Sequence, residues 1–281
     1  MAYTSLFLET SYSFSGSNIR LDALFEKASK FGYKTLAITD KNMHAAYKFY
    51  HYAKKYDINP MLGLHIYLEP ILNGTYISAT CYAQNQKGYQ NLLKLATISS
   101  FNETIDIKLH KKYSENITTV LHMHEGELAQ ARSNKQSFTT IISELQEQLN
   151  NLYLAKHPSF DIPVANLIQT VSVDYVYHNE PKDKAVFNAL FNIFEPNKAF
   201  TDIDSINASF KEPSYFKYLS ADETSTLSRF VKQHTFDLTI KHPELPSYSK
   251  TQGLSSEAYL KMLSIKGLDK RLKSSMHADY T

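Results

Sequence analysis

Between residues 6 and 194, short apolar runs alternate with stretches of helical periodicity, and this alternation narrows the fold more than any other feature. Residues 6–8, 35–39, the MLGLHIYLE stretch after Pro60, TYISATCYA, 117–123, LYLA and VSVDYVY read as strands. Between them, Leu21, Leu24, Phe25, Ala28 and Phe31 keep helical spacing, with Gly32 where a helix C-cap belongs. Residues 45–56 read as a helix with Tyr47, Tyr50 and Ala53 on one side, and 89–98 as a helix through Leu92, Leu93 and Ala96. Residues 138–149 and 181–194 are further helices, the latter with Pro181 at its start and Val186, Leu190 and Phe194 on one stripe. Residues 102–116 show no clear period. This order predicts a mostly parallel sheet with outer helices and right-handed crossovers, and seven strands suit a barrel as well as an open sheet. One exception is local: Asn73-Gly74 signals a hairpin between two of the strands.

Composition removes several classes of function. With 43% hydrophobic and 21% charged residues the chain can bury a core. Thirty Lys and Arg against 28 Asp and Glu leave a net charge of +2, too little for a clamp that binds nucleic acid by phosphate neutralisation alone. The single cysteine, Cys81, supports no disulfide framework or zinc knuckle and reads as a small buried residue in a strand, which suits a reducing cytoplasm. The first residues lack a basic region followed by a long apolar run, and no stretch approaches the ~20 apolar residues of a membrane span. The eight glycines match neither a dinucleotide-binding fingerprint nor a P-loop, and GxSxG and HExxH are absent. The 20 tyrosines and 16 phenylalanines fall mostly at helix- or strand-face spacing and read as core, although stacking on single-stranded nucleic acid is open to such residues.

In parallel α/β folds chemistry gathers at the C-terminal ends of strands. Glu9, Asp40, Lys41, His65, His122, His124, Asp174, Tyr175, Tyr177 and His178 lie in or just after the expected strands. His122 and His124 fall on one side of a strand and have the spacing to chelate zinc or manganese; the plainer reading is a partly exposed pair beside Glu125 and Glu127. Asp40 reads as a metal ligand or as the N-cap of the next helix, and His65 as a ligand or a half-buried, hydrogen-bonded histidine.

The stretch from TSYSFSGSN to PMLGLHIYLE resembles the N-terminal polymerase-and-histidinol-phosphatase (PHP) domain of bacterial DNA polymerase III alpha subunits. Tyr12-Ser13, the LAIT run before Asp40, Phe49-Tyr50 and the segment from Ile58 to Gly63 follow the order of that family's HxHxxYS, LAITDHGN, FY and GIKPIIGxE motifs. AQNQKGYQNLLKLATISS, HEGELAQA and VSVDYVYHNEPKDKAVFNALFNI continue the match, and the stretch from LPSYSK onward resembles the junction with the polymerase core. The resemblance implies a distorted (β/α)7-type PHP barrel over residues 1–248, with 198–248 as its irregular C-terminal connector. Residues 249–281 would be a linker and the first helix toward a polymerase core lying beyond Thr281, the helix capped by Ser255 or Ser256 and ending in Lys270-Arg271.

Active members of that family hold metal ions with His, Asp, Glu and Cys and hydrolyse phosphoesters. Here Phe7 and Glu9 stand at the positions of the HxH pair, and Lys41 replaces the His after the retained Asp40. His65 replaces a Glu, Met123 falls where a Cys or His is expected, and Tyr175 and Tyr177 replace a DxH pair. Phe7 cannot bind a metal and Lys41 repels one, so the resemblance implies a metal-free, catalytically silent pocket with Lys41 paired to Glu9 or Asp40. The parent enzyme would be a Gram-positive-type replicative polymerase using magnesium and primer-template DNA, with its palm, thumb and other replisome proteins as partners and no membrane. The alternatives are a zinc- or manganese-dependent phosphoesterase or 3′–5′ exonuclease using Glu9, Asp40, His65, His122 and His124, and an unrelated α/β binding module.

Overall fold

The computed structural model describes residues 3–14, 16–72, 74–164, 166–194, 207–239, 248, 251 and 253–272. Two compact units are present, Met1–Leu238 and Thr239–Thr281.

Among the described residues, the first unit has eight strands. β1 (Phe7–Leu8) pairs in parallel with β8 (Tyr175–Val176). The remaining strands, β2 (Thr35–Ile38), β3 (Asn59–Leu68), β4 (Ile77–Ala83), β5 (Ile117–Leu121), β6 (Leu152–Lys156) and β7 (Thr170–Ser172), form one sheet in sequence order. Its β2–β3, β5–β6 and β6–β7 pairs are parallel, whereas β4 runs antiparallel to both neighbours. The β1–β8 pair joins this sheet through Thr39, just past β2: its N–H donates to the Leu8 carbonyl and its hydroxyl accepts the Leu8 N–H. At the other end only Val173 and Asp174 separate β7 from β8. The sheet therefore curls into an incompletely closed barrel; its mostly parallel order is the one the alternation of elements predicts, and the barrel is the one the family resemblance implies.

Helices cover the outside. α1 (Leu21–Lys30) buries Leu21, Leu24, Phe25 and Ala28 and ends at Gly32, whose φ of +73° is a conformation glycine adopts without strain. α2 (Ala46–Lys55) buries Ala46, Phe49, Tyr50 and Ala53; Tyr47, expected on that side, is exposed. α3 (Gln86–Phe101) is capped by Asn85 and buries Leu92 and Leu95, leaving Leu93 in solvent. α4 (Ile107–Lys112), capped by Asp106, occupies a stretch whose six residues are too short to show a period. α5 (Gly126–Ala131) and α6 (Lys135–Gln148) follow, the second with Asn134 accepting two N–H bonds at its start. α7 (Lys184–Phe194) follows a 3₁₀ turn at Pro181–Asp183 and buries Phe187, whereas Val186 of the predicted stripe is exposed.

Three further readings change. The β3–β4 hairpin exists, but residues 69–76 connect it; Asn73 itself lies outside the described residues. VSVDYVY forms two strands in different sheets, because the bend at Val173–Asp174 turns the chain from β6 toward β1. The segment read as an irregular connector contains α8 (Ala221–Gln233), closed by a Ser220–Glu223 capping box. α8 buries Leu227 and Phe230, and after it His234 reaches Thr118 of β5 at 2.7 Å. Residues 198–206 lie outside the described residues. In the second unit, α9 (Ser256–Arg271) starts at Ser255, whose hydroxyl accepts the Ala258 N–H as expected.

Candidate functional site

Side chains from four strands meet inside the barrel. Phe7 of β1 is fully buried, and its ring centroid lies 5.1 Å from those of His65, His122 and Tyr175, 5.5 Å from Tyr177 and 5.9 Å from His124. Most of these pairs are tilted or edge-to-face, the arrangement favoured by ring quadrupoles. The expectation that His122 and His124 share one side holds, their rings being 5.5 Å apart, but both are wholly buried, not partly exposed. They follow the end of β5, and the inward curl of the sheet removes them from solvent. Met123 between them is buried in the hydrophobic core.

The tyrosines serve these histidines. The Tyr175 hydroxyl lies 3.1 Å from His122 Nδ1, while Thr80 Oγ1 lies 2.7 Å from its Nε2. Both ring nitrogens of His122 are thus engaged, and burial, aided by the nearby His124 and His65, keeps its pKa well below the usual value, so the ring is neutral. The Tyr177 hydroxyl lies 3.4 Å from His124 Nε2.

A second network crosses the barrel. Glu9 Oε1 meets His65 Nδ1 at 2.7 Å, and His65 Nε2 meets Ser78 Oγ at 2.9 Å. The Ser78 hydroxyl donates to Glu125 Oε1 at 2.9 Å, and Tyr76 donates to Glu125 Oε2 at 3.1 Å. His65, expected half-buried, is 3% exposed because β3 carries it between β1 and β4. Burial opposes its charging, yet hydrogen bonds to Glu125 and Glu9 prevail and raise its pKa. Burial likewise opposes ionisation of Glu125, but His124, His65 and Lys41 hold its carboxyl well below the usual range. Glu125 is the largest omission of the sequence reading; its place directly after the HMH triplet is the signal that could have found it. Glu9 Oε2 has no hydrogen-bond partner among the described residues and faces Gly16, where a Cβ would lie 1.7 Å away.

Asp40 does not cap α2, whose N-cap is Ala45. It accepts bonds from the Thr10 N–H (2.5 Å), the Thr10 hydroxyl (2.7 Å) and the Ser13 hydroxyl (2.8 Å), fastening the 3₁₀ turn Ser11–Ser13 to the end of β2. Burial, with the charge of Glu9, pushes its pKa up to about 7 against those bonds.

Lys41 forms no ion pair with Glu9 or Asp40, correcting the expected pairing, because those carboxylates are held by His65 and by Thr10 and Ser13. Its ammonium lies over the Tyr67 ring, 5.4 Å from the centroid, and the carboxylate that feels its charge is Glu125. Asp174 points elsewhere and forms a buried pair with Lys211, at 2.8 and 3.0 Å. Cys81 is buried in β4 as expected, 3.3 Å from His110 Nε2. Among the described residues, no group of three or more His, Cys, Asp or Glu side chains is gathered so as to hold a metal ion.

The chain is 29% identical to a DNA polymerase III subunit alpha from Staphylococcus epidermidis over 194 residues, which covers 63% of this chain and 18% of that protein. It is 38% identical to the Streptococcus pyogenes subunit over 112 residues, 40% of this chain and 10% of that one. The chain thus spans under a fifth of the length of these relatives. A solved structure described as a metal-dependent phosphoesterase, from Bifidobacterium adolescentis, aligns at a TM-score of 0.40 and 8% identity, covering 84% of this chain and 97% of that one. The PHP domain profile matches residues 6–157, more than half of the sequence. The chain belongs to the PHP domain family.

Proposed function

We propose that this chain is the PHP domain of a replicative DNA polymerase alpha chain in which the metal centre has become a packed core, so that its role is structural. The observation that supports this most is Phe7, whose ring fills the barrel centre against His65, His122 and both tyrosines. A metal ligand needs a free lone pair, and both ring nitrogens of His65 and His122 are already bonded to protein groups. A metal-activated hydroxide needs several fixed ligands around the ion; the donor set here does not fit that requirement. No hydrolytic step is assigned to the pocket.

In this reading the domain supports the palm and thumb of a larger chain and offers surface to other replisome proteins in the cytoplasm. Template-directed nucleotidyl transfer, with its magnesium and primer-template DNA, would belong to that larger chain. No helix among the described residues is long and apolar enough to cross a membrane.

The test is metal content by elemental mass spectrometry on chelator-free protein, with melting curves with and without EDTA and a phosphoesterase assay with manganese or zinc. A metal bound only to the native state must raise stability by mass action. The expected result is no stoichiometric metal, an unchanged melt and no metal-dependent hydrolysis. Two or more metals per chain with a chelator-sensitive melt refutes the reading.

A further inference from the structure

We propose that the solvent face of α2 is a contact surface for single-stranded nucleic acid. The face carries Tyr47, Lys48, His51 and Lys55, all exposed and related by three- and four-residue steps, with the half-exposed Tyr52 between them. No acidic residue occurs in α2. The carboxylates nearby are engaged or lie beyond its end: Asp22 is bonded to Arg20, Asp237 to Lys54, and Asp57 follows the helix.

Aromatic rings alternate with these cations. Tyr47, 55% exposed, meets the His51 ring edge-on at 4.3 Å. Lys48 Nζ lies 3.3 Å from the Tyr12 hydroxyl and 5.9 Å from the centre of that ring. Lys55 Nζ lies over Tyr56, which stacks on Tyr52 with 6° between the planes. Basic residues at a helix C-terminus complement its dipole, which accounts for Lys54 and Lys55. It does not account for Lys48 one turn from the start, nor for an exposed Tyr47.

A cationic row interleaved with accessible rings matches a strand that offers phosphates and unpaired bases together, since every base has a face to stack. Duplex DNA hides those faces, and an acidic peptide lacks them. The surface is too small for tight binding, in keeping with a net charge of +2. The proposal stands on surface chemistry alone and does not fall with the metal-free reading of the barrel.

The experiment is fluorescence anisotropy of the full 281-residue chain with a labelled single-stranded oligonucleotide across a salt series. Each lysine–phosphate contact adds about 0.7 to the slope of log K against log salt for single strands. Replacing Lys48 and Lys55 together by alanine should therefore flatten the slope by about 1.4. Tyr47→Ala should weaken binding about fivefold or more through lost stacking. All of these side chains are exposed, so melting curves should match the parent. A control pair on α4, Lys108→Ala with Lys111→Ala, should bind as the parent does. No binding at low salt, or binding unchanged in the α2 variants, overturns the proposal. So does equal binding of polyglutamate with no effect of Tyr47→Ala, which would make the face a patch for acidic protein.

Discussion

Replacing Phe7 with alanine removes a ring that has no solvent exposure and touches five other rings within 5.9 Å. Truncating a buried Phe costs about 3–5 kcal/mol, combining lost burial with the cavity left behind. Collapse is restricted here, because all five neighbouring rings are tied by hydrogen bonds: His65 to Glu9 and Ser78, His122 to Thr80 and Tyr175, and Tyr177 to His124. The loss should therefore fall in the upper part of that range. For a unit of this size each kcal/mol moves the melting temperature by ~2–4 °C, so a loss of about 4–5 kcal/mol gives a fall of roughly 8–20 °C. Urea unfolding followed by circular dichroism gives the same quantity independently and should show a lower midpoint with an unchanged slope. EDTA should leave the difference between parent and variant untouched. A loss below about 1 kcal/mol would refute the packing argument, and a variant rescued by added manganese would show that the pocket binds metal after all.

Asp40 makes stability depend on pH. Its folded pKa of about 7 lies above the ordinary 3.8, so its contribution is complete below about pH 4 and is lost as the pH rises through 7; Asp40→Asn should flatten the stability profile over that window in urea titrations. Lys211→Met leaves the Asp174 carboxylate, 3% exposed, without its counterion; about 3–5 kcal/mol should be lost at pH 8 by chemical denaturation, and less at pH 5, where Asp174, its pKa lifted by burial to about 6, is protonated. Glu127 accepts the N–H groups of Ile71, Leu72 and Gly74, so Glu127→Ala should release the β3–β4 connection and speed its cleavage in limited proteolysis, at a cost of about 2–4 kcal/mol. Gly16→Ala places a methyl group against Glu9 Oε2 and should lower the melting temperature without altering helix content in circular dichroism.

The sequence by itself determined the kinds of element, because backbone period and capping are local. The spacing through Leu21, Leu24 and Phe25, Gly32 after α1, and Ser255 before α9 each reflect bonds or contacts within a few residues. Short or kinked pieces escaped it: α4 has too few residues for a period, and the break between β7 and β8 is a change of partner strand, not of local pattern. Only the tertiary structure decided which side chains meet. Glu9 and His65 are 56 residues apart, and Thr10 and Asp40 are 30 apart; curling of the sheet joins them. The same curl buries His122 and His124 and turns Tyr175 and Tyr177 toward them. It also gives Glu9 and Asp40 partners other than Lys41 and leaves that cation to Tyr67 and Glu125. Strand periodicity states that alternate residues share a face; how strongly the sheet bends, and therefore what that face encloses, depends on contacts between strands distant in the chain.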